Sequence, residues 1–373
     1  HAPPASPAAS TASQINSLKR VLKTRRRKAL QEPRKRVGHD NSGMSLDPAT
    51  PTFSDPSATT AAHMNGVARI SGLGVIRALG EQAAQFLQGQ LTQDVVLLPV
   101  GSSRLAAFCN PKGRMLASFR VYKRSADELL LVTSIDTLPA TLKRLTMFVM
   151  RAKVKLSDAS GDFDIYGAVG ETAQALLQDA TQSIAASAGA ANAGGQNDAQ
   201  PVVIALPPAD GAPRALCLLP TDAAAPAGPA LPEADWRWAE VRAGVARVVP
   251  PVVEAFVPQM LNYESVDGVS FKKGCYPGQE VVARSQFRGA IKRRAFVAHV
   301  AGVAEAGQEV FDTSAPDQPV GLIAQAAPAP GGGTAVIVSL QLSAEHAADL
   351  RVGAADGPRL AGLQLPFALL ADV

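Results

Sequence analysis

The sequence predicts an α+β fold that ends in a small β-barrel, and three observations lead to this prediction. Strand-like and helix-like segments alternate between Gly66 and Asp158, which is typical of a mixed two-layer arrangement. From Lys292 onward, short Val, Ala and Leu runs recur between turns, as in a β-barrel or sandwich. The 373 residues are 47% hydrophobic, which is enough to bury a core shared by two or three domains.

The elements between residues 66 and 160 follow from apolar spacing and from turn residues. Two segments carry apolar residues at helical spacing, and the NPKG turn joins two strands because its Pro and Gly favour turn geometry. The predicted elements are a strand in VARISG (67–72), a helix in GEQAAQFLQGQ (80–90), strands at 105–109, 115–122 and 129–133, a helix in DTLPATLKRLTMFVM (136–150) and a strand in AKVKLSD (152–158).

Apolar spacing and turn residues also divide the rest of the chain into strands, helices and loops. Residues 161–232 predict two or three short strands, a helix near 171–179 and a loop in AASAGAANAGGQND (185–198). Helices are predicted in EADWRWAEVRAG (233–244) and in PGQEVVARSQF (277–287), with a proline-punctuated loop region at 250–271 between them. The barrel strands are predicted in AFVAHV, VGLIAQA, TAVIVSLQL and LAGLQL.

Residues 1–64 are predicted to form a disordered arm, because they are rich in Ala, Pro, Ser and Thr and lack a periodic apolar pattern. Within them, SLKRVLKTRRRKALQEPRKR (17–36) holds ten Lys or Arg against one acid, although the whole chain has a net charge of only +4. Three interpretations remain open for this arm: a solvated tail, a nucleic-acid-binding arm and a mitochondrial-type presequence.

Several classes of function are disfavoured by what the sequence lacks. The three cysteines, Cys109, Cys217 and Cys275, are far apart and odd in number, which suits the reducing cytoplasm better than a disulfide framework. No apolar stretch is long enough to cross a bilayer. Cys and His spacings typical of metal sites are absent, as are the phosphate-binding loop and the serine-hydrolase elbow, so we expect no resident metal.

The segment KKGCYPGQE (272–280) contains the main chemical candidate, Cys275. The motif's glycines permit close backbone approaches, and Pro277 fits the first turn of the following helix. The helix amides, together with Lys272 and Lys273, would favour the thiolate and give the sulfur nucleophilic or redox character. The alternative is a buried structural cysteine. A transient iron–sulfur ligand is a further option, if a partner supplies the other thiolates.

A second basic concentration, ARSQFRGAIKRRAF (283–296), interleaves cations with aromatic residues. It suits either a flat anionic ligand or RNA, and the alternative is a solvated helix and strand edge. Trp236 and Trp238 stand out because aromatic residues are few. At i and i+2 of a helix their rings point in different directions, so one could stack on a heterocycle while the other packs in the core.

The segment FKKGCYPGQEVVARSQFRGAIKR (271–293) resembles the signature of the YgfZ family, folate-binding relatives of the glycine-cleavage T-protein, an aminomethyltransferase. The resemblance extends, in the same order along the chain, to FLQGQLTQDV (86–95), FCNPKGRMLASFRVYK (108–123), WAEVRAGVARV (238–248) and FVPQMLNYESVDGVSF (256–271). It covers roughly residues 65–373 and leaves the arm outside.

The resemblance implies a three-part fold around a central cavity that binds tetrahydrofolate or a one-carbon derivative of it. Two intertwined α+β domains and a C-terminal β-barrel are expected. On this chain they correspond to a folate-binding α+β domain (65–160 plus 233–291), a second α+β domain (161–232) and the barrel (292–373), preceded by the arm (1–64).

The resemblance also implies site residues. The essential cysteine of the family falls on Cys275, and its folate-contacting tryptophan falls on Trp236. Arginines suit the carboxylates of the folate tail, for which Arg242, Arg284 and Arg288 are the candidates. The other expected contacts come from the signature motif itself: Lys273, Gly274, Tyr276, Gln279 and Glu280.

Departures from the T-protein pattern favour binding over transfer chemistry. Where the T-protein has an aspartate pair, one of them catalytic, this chain has Ala117 and Ser118, so no carboxylate remains for that role. Arg242 replaces an acidic residue, and Leu73 falls near the position of a second stacking tryptophan. The leading hypothesis is a monomeric folate-binding accessory protein that supports iron–sulfur enzymes, including those that thiomethylate tRNA. The alternatives are a folate-dependent one-carbon transferase, an RNA-binding module and a mitochondrial rather than cytoplasmic location.

Overall fold

The computed structural model describes residues 60–189, 200–289 and 291–370, which belong to one compact unit. Most of the predicted arm, residues 1–59, lies outside the described residues, so its three interpretations stay open. The ordered body begins slightly earlier than the predicted start at Gly66. Ala61 opens a single turn of 3-10 helix, Ala61–His63, and is fully buried. Its amide donates to a carboxylate oxygen of Asp210 at 2.9 Å.

Fifteen strands and five α-helices are assigned within the described ranges. In chain order they are β1 (Gly66–Arg69), β2 (Leu73–Leu79), α1 (Ala83–Gln88), β3 (Ser103–Cys109), β4 (Met115–Lys123), β5 (Glu128–Ser134), α2 (Leu138–Thr146), β6 (Lys155–Asp158), β7 (Phe163–Val169), α3 (Glu171–Gly189), β8 (Val202–Ala209), β9 (Ala212–Pro220), α4 (Glu233–Arg242), α5 (Gln279–Phe287), β10 (Arg293–Val300), β11 (Glu309–Asp312), β12 (Pro319–Pro328), β13 (Thr334–Gln341), β14 (Leu350–Val352) and β15 (Arg359–Gln364).

The first sheet has five antiparallel strands in the order β3-β4-β5-β2-β6. Helices α1 and α2 pack against it, since Leu87 of α1 and Leu145 of α2 share a buried cluster with Phe108 and Leu131 of the strands. The predicted helices and hairpin in this part are confirmed. Strand β2 was not predicted, because its residues are buried on both faces and therefore lack the alternation that marks a half-exposed strand.

The NPKG turn of the predicted hairpin is fixed by its first residue. The side-chain oxygen of Asn110 accepts the amides of Lys112 at 2.9 Å and Arg114 at 3.0 Å. Gly113 has φ +71°, a left-handed conformation that glycine adopts without strain. The cysteine motif packs directly on this turn.

The second sheet has four antiparallel strands in the order β1-β7-β9-β8, and α3 packs on it. Strand β1 pairs with β7 and so belongs to the second sheet. The predicted domain 65–160 had grouped β1 with the strands of residues 73–158, which form the first sheet. Only three residues separate β1 from β2, so the sequence gives no sign that the two strands belong to different sheets. Helix α3 also extends to Gly189, because the small Ala-rich residues that were predicted to begin a loop are good helix formers.

The C-terminal part is a closed barrel with the strand order β10-β13-β12-β11-β14-β15, which confirms the predicted β-barrel. Its interior is filled by side chains such as Phe296, Ile323 and Val338. The strands β11 and β14 were not predicted because each has four residues or fewer. The predicted loop region at 250–271 contains three short 3-10 helices, Pro250–Val252, Pro258–Leu261 and Tyr263–Val266.

The two sheets and the barrel share one large buried core around α4. Trp238 and Ala239 of α4 belong to the same cluster as Ile165 of the second sheet, Val132 of the first sheet and Ile337 of the barrel. Helix α4, predicted at 233–244 and confirmed as Glu233–Arg242, therefore connects all three parts. Two cavities lie beside this helix, and a further cavity of about 410 Å³ lies beside α2.

Candidate functional site

Two adjoining cavities lie beside α4, and we call them the inner and the outer cavity. The inner cavity has a volume of about 60 Å³ and is walled by strands of both sheets. Its polar wall consists of Ser118, Arg120, Arg214, Glu240, Arg247 and Tyr263. The outer cavity has a volume of about 310 Å³ and extends to the barrel. The two cavities share Glu240 and Arg247, so this pair of side chains separates them.

Arg214 enters the inner cavity from β9 and stacks on Trp236. Its guanidinium carbon lies 4.3 Å from the centroid of the indole, and the guanidinium is almost completely buried. One nitrogen, Nη1, donates to the carbonyl of Pro207 at 3.5 Å. The other two nitrogens, Nε and Nη2, are buried and have no hydrogen-bond partner among the described residues. Stacking therefore fixes the plane of this guanidinium but leaves one edge of it unsatisfied.

Trp236 lines neither cavity, and its predicted contact with a ligand stays a prediction. Its ring is fully buried between Arg214 and β7, where a Cβ on Gly167 would lie 2.4 Å from the indole. The glycine lets α4 approach the strand closely enough for the indole to fill the space. Trp236 can influence a ligand only through Arg214, and Trp238 is buried in the core as well.

Two further arginines complete the inner wall. Arg247 donates from Nη2 to Glu240 at 3.1 Å and from Nη1 to the carbonyl of Gly72 at 3.3 Å. Arg120 projects from β4 and makes no hydrogen bond or ion pair with another described residue. Burial lowers the pKa of both Arg120 and Arg214 to about 10, so both stay protonated at neutral pH. The inner wall thus carries three cations and one carboxylate.

Of the two positions compared with the T-protein aspartates, only Ser118 lies at this wall. Ser118 lines the inner cavity, and its hydroxyl oxygen accepts the amide of Val248 at 3.0 Å, while Ala117 is fully buried. Tyr263 donates its hydroxyl to the carbonyl of Ala246 at 2.6 Å, and burial raises the pKa of Tyr263 to about 12. Leu73 supplies an apolar part of the wall. The carboxylate of Glu240 is the one acidic group among the residues that line the inner cavity.

The cysteine motif is anchored to the first sheet on both sides of Cys275. The ammonium of Lys273 is buried and donates to the carbonyls of Gln88 and of Leu91, the latter at 2.7 Å, beside the ring of Tyr276. A Cβ on Gly278 would lie 2.4 Å from the carbonyl oxygen of Asn110, so only glycine allows the motif to pack on the NPKG turn. Gly274 has no such neighbour and normal backbone geometry, so its predicted close approach is wrong.

Cys275 itself is exposed and unpaired, which excludes the alternative of a buried structural cysteine. Helix α5 begins at Gln279 with Gly278 as its N-cap, so Pro277 precedes the helix and is not in its first turn as predicted. Phe287, the last residue of α5, is exposed and stacks edge-on against Phe271, with 5.1 Å between the ring centroids. Cys109 and Cys217 are buried instead, and burial raises the pKa of each thiol to about 12.

The predicted ligand contacts from the motif and from α5 lie away from both cavities. Arg284 is exposed and pairs with Glu280 at 2.6 Å on the outer face of α5, because the two are four residues apart. None of the following lines the inner or outer cavity: Lys273, Gly274, Cys275, Tyr276, Gln279, Glu280, Arg284 and Arg288. The cysteine motif and the two cavities beside α4 therefore have no lining residue in common.

Arg242, predicted to contact an anionic tail, forms an ion pair within the protein, and the predicted contact stays a prediction. Its Nε and Nη2 form a bidentate ion pair with the carboxylate of Asp210, with the shortest distance 2.7 Å. Asp210 has φ +47° in the turn between β8 and β9, and the same carboxylate accepts the amide of Ala61. Arg242 therefore ties α4 to the second sheet and to the start of the described chain.

The cavity arginines were missed at the sequence level. Arg120 and Arg214 each interrupt an otherwise apolar strand, in MLASFRVYK and APRALCLLP. A charge at such a position marks either a solvent-facing residue or a buried functional one, and the sequence does not distinguish the two. Arg247 follows the WAEVRAG segment and has no pattern of its own.

Among residues 60–189, 200–289 and 291–370, no group of three or more His, Cys, Asp or Glu side chains is placed to hold a metal ion. Over the same residues, no helix combines the length and the apolarity that crossing a membrane requires.

The architecture of two sheets and a barrel around a central cavity defines a class of protein built like the T-protein of glycine cleavage. The solved structure of the glycine cleavage system aminomethyltransferase T from Bartonella henselae matches with a TM-score of 0.57 at 14% identity, over 83% of this chain and 88% of that protein. At that identity the match shows the fold. A model of the GCVT N-terminal domain matches residues 55–199.

Curated relatives narrow the class to a family. The tRNA-modifying protein YgfZ of Photobacterium profundum is 32% identical over 254 residues, which cover 66% of this chain and 73% of the relative. The tRNA-modifying protein YgfZ of Colwellia psychrerythraea is 30% identical over 233 residues, which cover 61% of this chain and 69% of the relative. An uncharacterized protein of Haemophilus influenzae is 32% identical over 239 residues. The chain belongs to the YgfZ family.

Proposed function

We propose that this protein binds tetrahydrofolate, or a one-carbon derivative of it, and acts as an accessory factor for tRNA modification rather than as a one-carbon transferase. Its clients would be iron–sulfur enzymes, including those that thiomethylate tRNA, in the cytoplasm. The family and the fold support the folate and tRNA parts of this proposal. The iron–sulfur part rests on the resemblance of the cysteine motif.

The two cavities offer a folate both guanidinium groups and apolar wall, and the outer cavity alone reaches the size of a small-molecule site. Small-molecule sites measure about 300–1,000 Å³, so the outer cavity of about 310 Å³ reaches this range while the inner cavity of about 60 Å³ does not. The guanidinium groups suit the carboxylates of a folate, and Leu73 and Leu105 provide apolar wall. The fully buried indole of Trp236 offers no stacking face, so ring recognition would depend on apolar packing.

A single observation carries the preference for binding over transfer: no unpaired carboxylate lines the inner cavity. Ala117 and Ser118 occupy the T-protein acid positions, and Glu240 is committed to Arg247. A general acid or base must reach the reacting atoms with a proton to exchange, and an ion-paired carboxylate is poorly suited to that role. The wall therefore supports recognition of a ligand without an acid–base group for its turnover.

Cys275 would act on a partner, because it is exposed and lies outside both cavities. Its loop is held by the buried Lys273 and by the packing of Gly278, so the thiol is presented at a defined place on the surface. Phe287 adds an exposed apolar side chain on the same motif segment, as protein interfaces commonly contain. A client protein is the expected partner of this surface.

Three measurements test the proposal. Titration with tetrahydrofolate should change the tryptophan emission, since Trp236 stacks on the cavity residue Arg214. The same protein should give no enzyme-like turnover of an aminomethylated carrier with tetrahydrofolate and ammonia, and turnover at enzyme-like rates would favour the transferase alternative. In cells that lack the protein, Cys275→Ala should fail to support tRNA thiomethylation. If Cys275→Ala supports it as well as the parent does, the assigned role of the thiol is wrong.

A further inference from the structure

The cavity of about 410 Å³ beside α2, which we call the α2 cavity, lies between that helix and the loop that contains Pro250 and Val253. Its floor includes Phe108 of β3 and Leu116 of β4, which belong to the face of the first sheet that α1 and α2 cover. The α2 cavity has no lining residue in common with the inner cavity, and it shares only Asp136 with the outer cavity. It is therefore a separate space.

Much of the wall of the α2 cavity is apolar, and part of this apolar wall is exposed. Ala140 of α2, Met147 at its C-cap and Val253 line the cavity, with Met147 70% exposed and Val253 39% exposed. Exposed apolar side chains that cluster around a concave space are typical of binding sites, whereas scattered ones are ordinary surface. The volume of about 410 Å³ lies within the range of about 300–1,000 Å³ that small-molecule sites have.

The charged groups of the α2 cavity favour an anion. Lys143 and Arg144 line it and are exposed, and neither forms an ion pair or a side-chain hydrogen bond with another residue that the structure describes. Asp136, the one acid among the lining residues, precedes α2 and lies roughly 10 Å away from the two cations along the helix axis. An anion beside Lys143 and Arg144 therefore avoids this carboxylate.

The dipole of α2 acts against an anion at this end of the helix, but it is the weaker effect. A helix dipole corresponds to roughly half a negative charge at the C-terminus, whereas Lys143 and Arg144 carry two full positive charges. Cations in the last turn also stabilise the helix itself, which would explain their presence on any surface helix. That stabilisation does not require the apolar cavity that the same two side chains line.

We propose that the α2 cavity binds a free aliphatic monocarboxylate of medium chain length. The chain packs on Phe108, Leu116 and Val253, and the carboxylate lies beside Lys143 and Arg144. A water molecule occupies about 30 Å³ in the liquid, so the cavity corresponds to roughly fourteen water-sized groups, which suits a chain of about eight to ten carbons. This site does not depend on the proposed function, because it lies outside both cavities beside α4.

Calorimetric titration of the full-length protein with hexanoate, octanoate and decanoate, each below its micelle concentration, tests the site. Each methylene group that leaves water for the apolar wall should tighten binding by about fourfold, so decanoate should bind about tenfold or more tightly than octanoate. The neutral 1-decanol should bind less tightly than decanoate, because it lacks the charge that the two cations attract. Absence of saturable decanoate binding, or an affinity that does not rise with chain length, would overturn the proposal.

Variants locate the bound carboxylate. Ala140→Trp should fill the cavity and weaken decanoate binding by about tenfold or more, whereas Thr146→Trp, at an exposed position of α2 that does not line the cavity, should leave it within about twofold. Both variants should unfold near the temperature of the parent, because positions 140 and 146 are exposed. Equal binding by Ala140→Trp and the parent would place the ligand elsewhere and refute the assignment.

The cations have their own test. The double variant Lys143→Gln and Arg144→Gln should weaken decanoate binding by about fivefold, the size expected for exposed ion pairs, and should leave 1-decanol binding unchanged. Arg359→Gln, at an exposed arginine of the barrel, should change neither. If the double variant weakens decanoate and 1-decanol equally, the two side chains supply apolar contact and the carboxylate assignment fails.

Competition with folate separates this inference from the proposed function. Tetrahydrofolate should not displace decanoate, because the α2 cavity and the cavities beside α4 share only Asp136. Displacement would place decanoate beside α4 and overturn the inference. A parent that binds decanoate with the expected variant effects but binds no folate keeps the inference and loses the proposed function. A parent that binds folate but not decanoate loses the inference alone.

Discussion

Replacing Gly167 by alanine tests the close packing that holds the indole of Trp236 against Arg214. The new Cβ would lie 2.4 to 2.6 Å from three ring atoms, whereas ordinary contact begins at 3.4 Å, so the indole or the strand must shift by about 1 Å. Alanine gains about 0.4–1 kcal/mol by restricting the unfolded chain. Overpacking a rigid core costs about 1–3 kcal/mol and occasionally more. The clash is therefore expected to prevail, with a net loss of about 2 kcal/mol.

Urea unfolding followed by tryptophan emission measures this loss. At roughly 2–4 °C per kcal/mol, the melting temperature should fall by about 5 °C. Gly161→Ala is the matched control, because a Cβ there meets nothing within 4 Å, and it should change the free energy of unfolding by less than about 0.5 kcal/mol. Should Gly167→Ala be as stable as the parent with an unchanged emission maximum, the packing of Trp236 between Gly167 and Arg214 would be refuted.

Three further outcomes are expected. A thiol reagent at mildly alkaline pH should modify Cys275 alone in the native protein and all three cysteines after denaturation, and mass spectrometry that found either buried cysteine modified in the native state would contradict the structure. Burial lowers the pKa of Lys273 from 10.5 to about 8, so the unfolded chain binds more protons than the folded protein between about pH 7.5 and 9.5. Over that range the free energy of unfolding of the parent should rise by about 1 kcal/mol relative to that of Lys273→Met. If the difference measured by urea unfolding does not change with pH, Lys273 is not buried as the structure shows. Gly278→Ala should lower the free energy of unfolding by about 2 kcal/mol or more, since a Cβ would meet the Asn110 carbonyl at 2.4 Å and φ is +81°, whereas Gly274→Ala should change it by less than about 0.5 kcal/mol.

Local patterns predicted the local structure well. The NPKG turn predicted the hairpin because Asn, Pro and Gly encode turn geometry within four residues, and the structure shows Asn110 closing that turn. The short apolar runs after Lys292 predicted barrel strands because turn residues separate them at regular intervals. Helices α4 and α5 were predicted from short local segments, and both are present.

The cavity could not be predicted, because its residues become neighbours only through packing. Arg120 and Arg214 lie on different sheets, and the sequence does not show that β4 and β9 line the same cavity. The opposite error affected the cysteine motif. Its cysteine and charged residues suggested a ligand site, yet Lys273 and Gly278 hold the loop on the first sheet. Both the lining of the cavity and the role of the cysteine motif depend on contacts between residues far apart in the chain, which a local sequence pattern does not show.

The hydrogen bond between the Arg247 amide and the side chain of Gln325 has a consequence for how the three parts of the protein behave together. It joins the cavity wall to the barrel at 2.9 Å, while Arg120 and Arg214 belong to the two sheets. An occupant of the inner cavity would touch groups rooted in both sheets and in a segment bonded to the barrel. Binding in the inner cavity should therefore slow amide exchange in both sheets and in the barrel at once, so that the bound form is more rigid than the free form even far from the cavity.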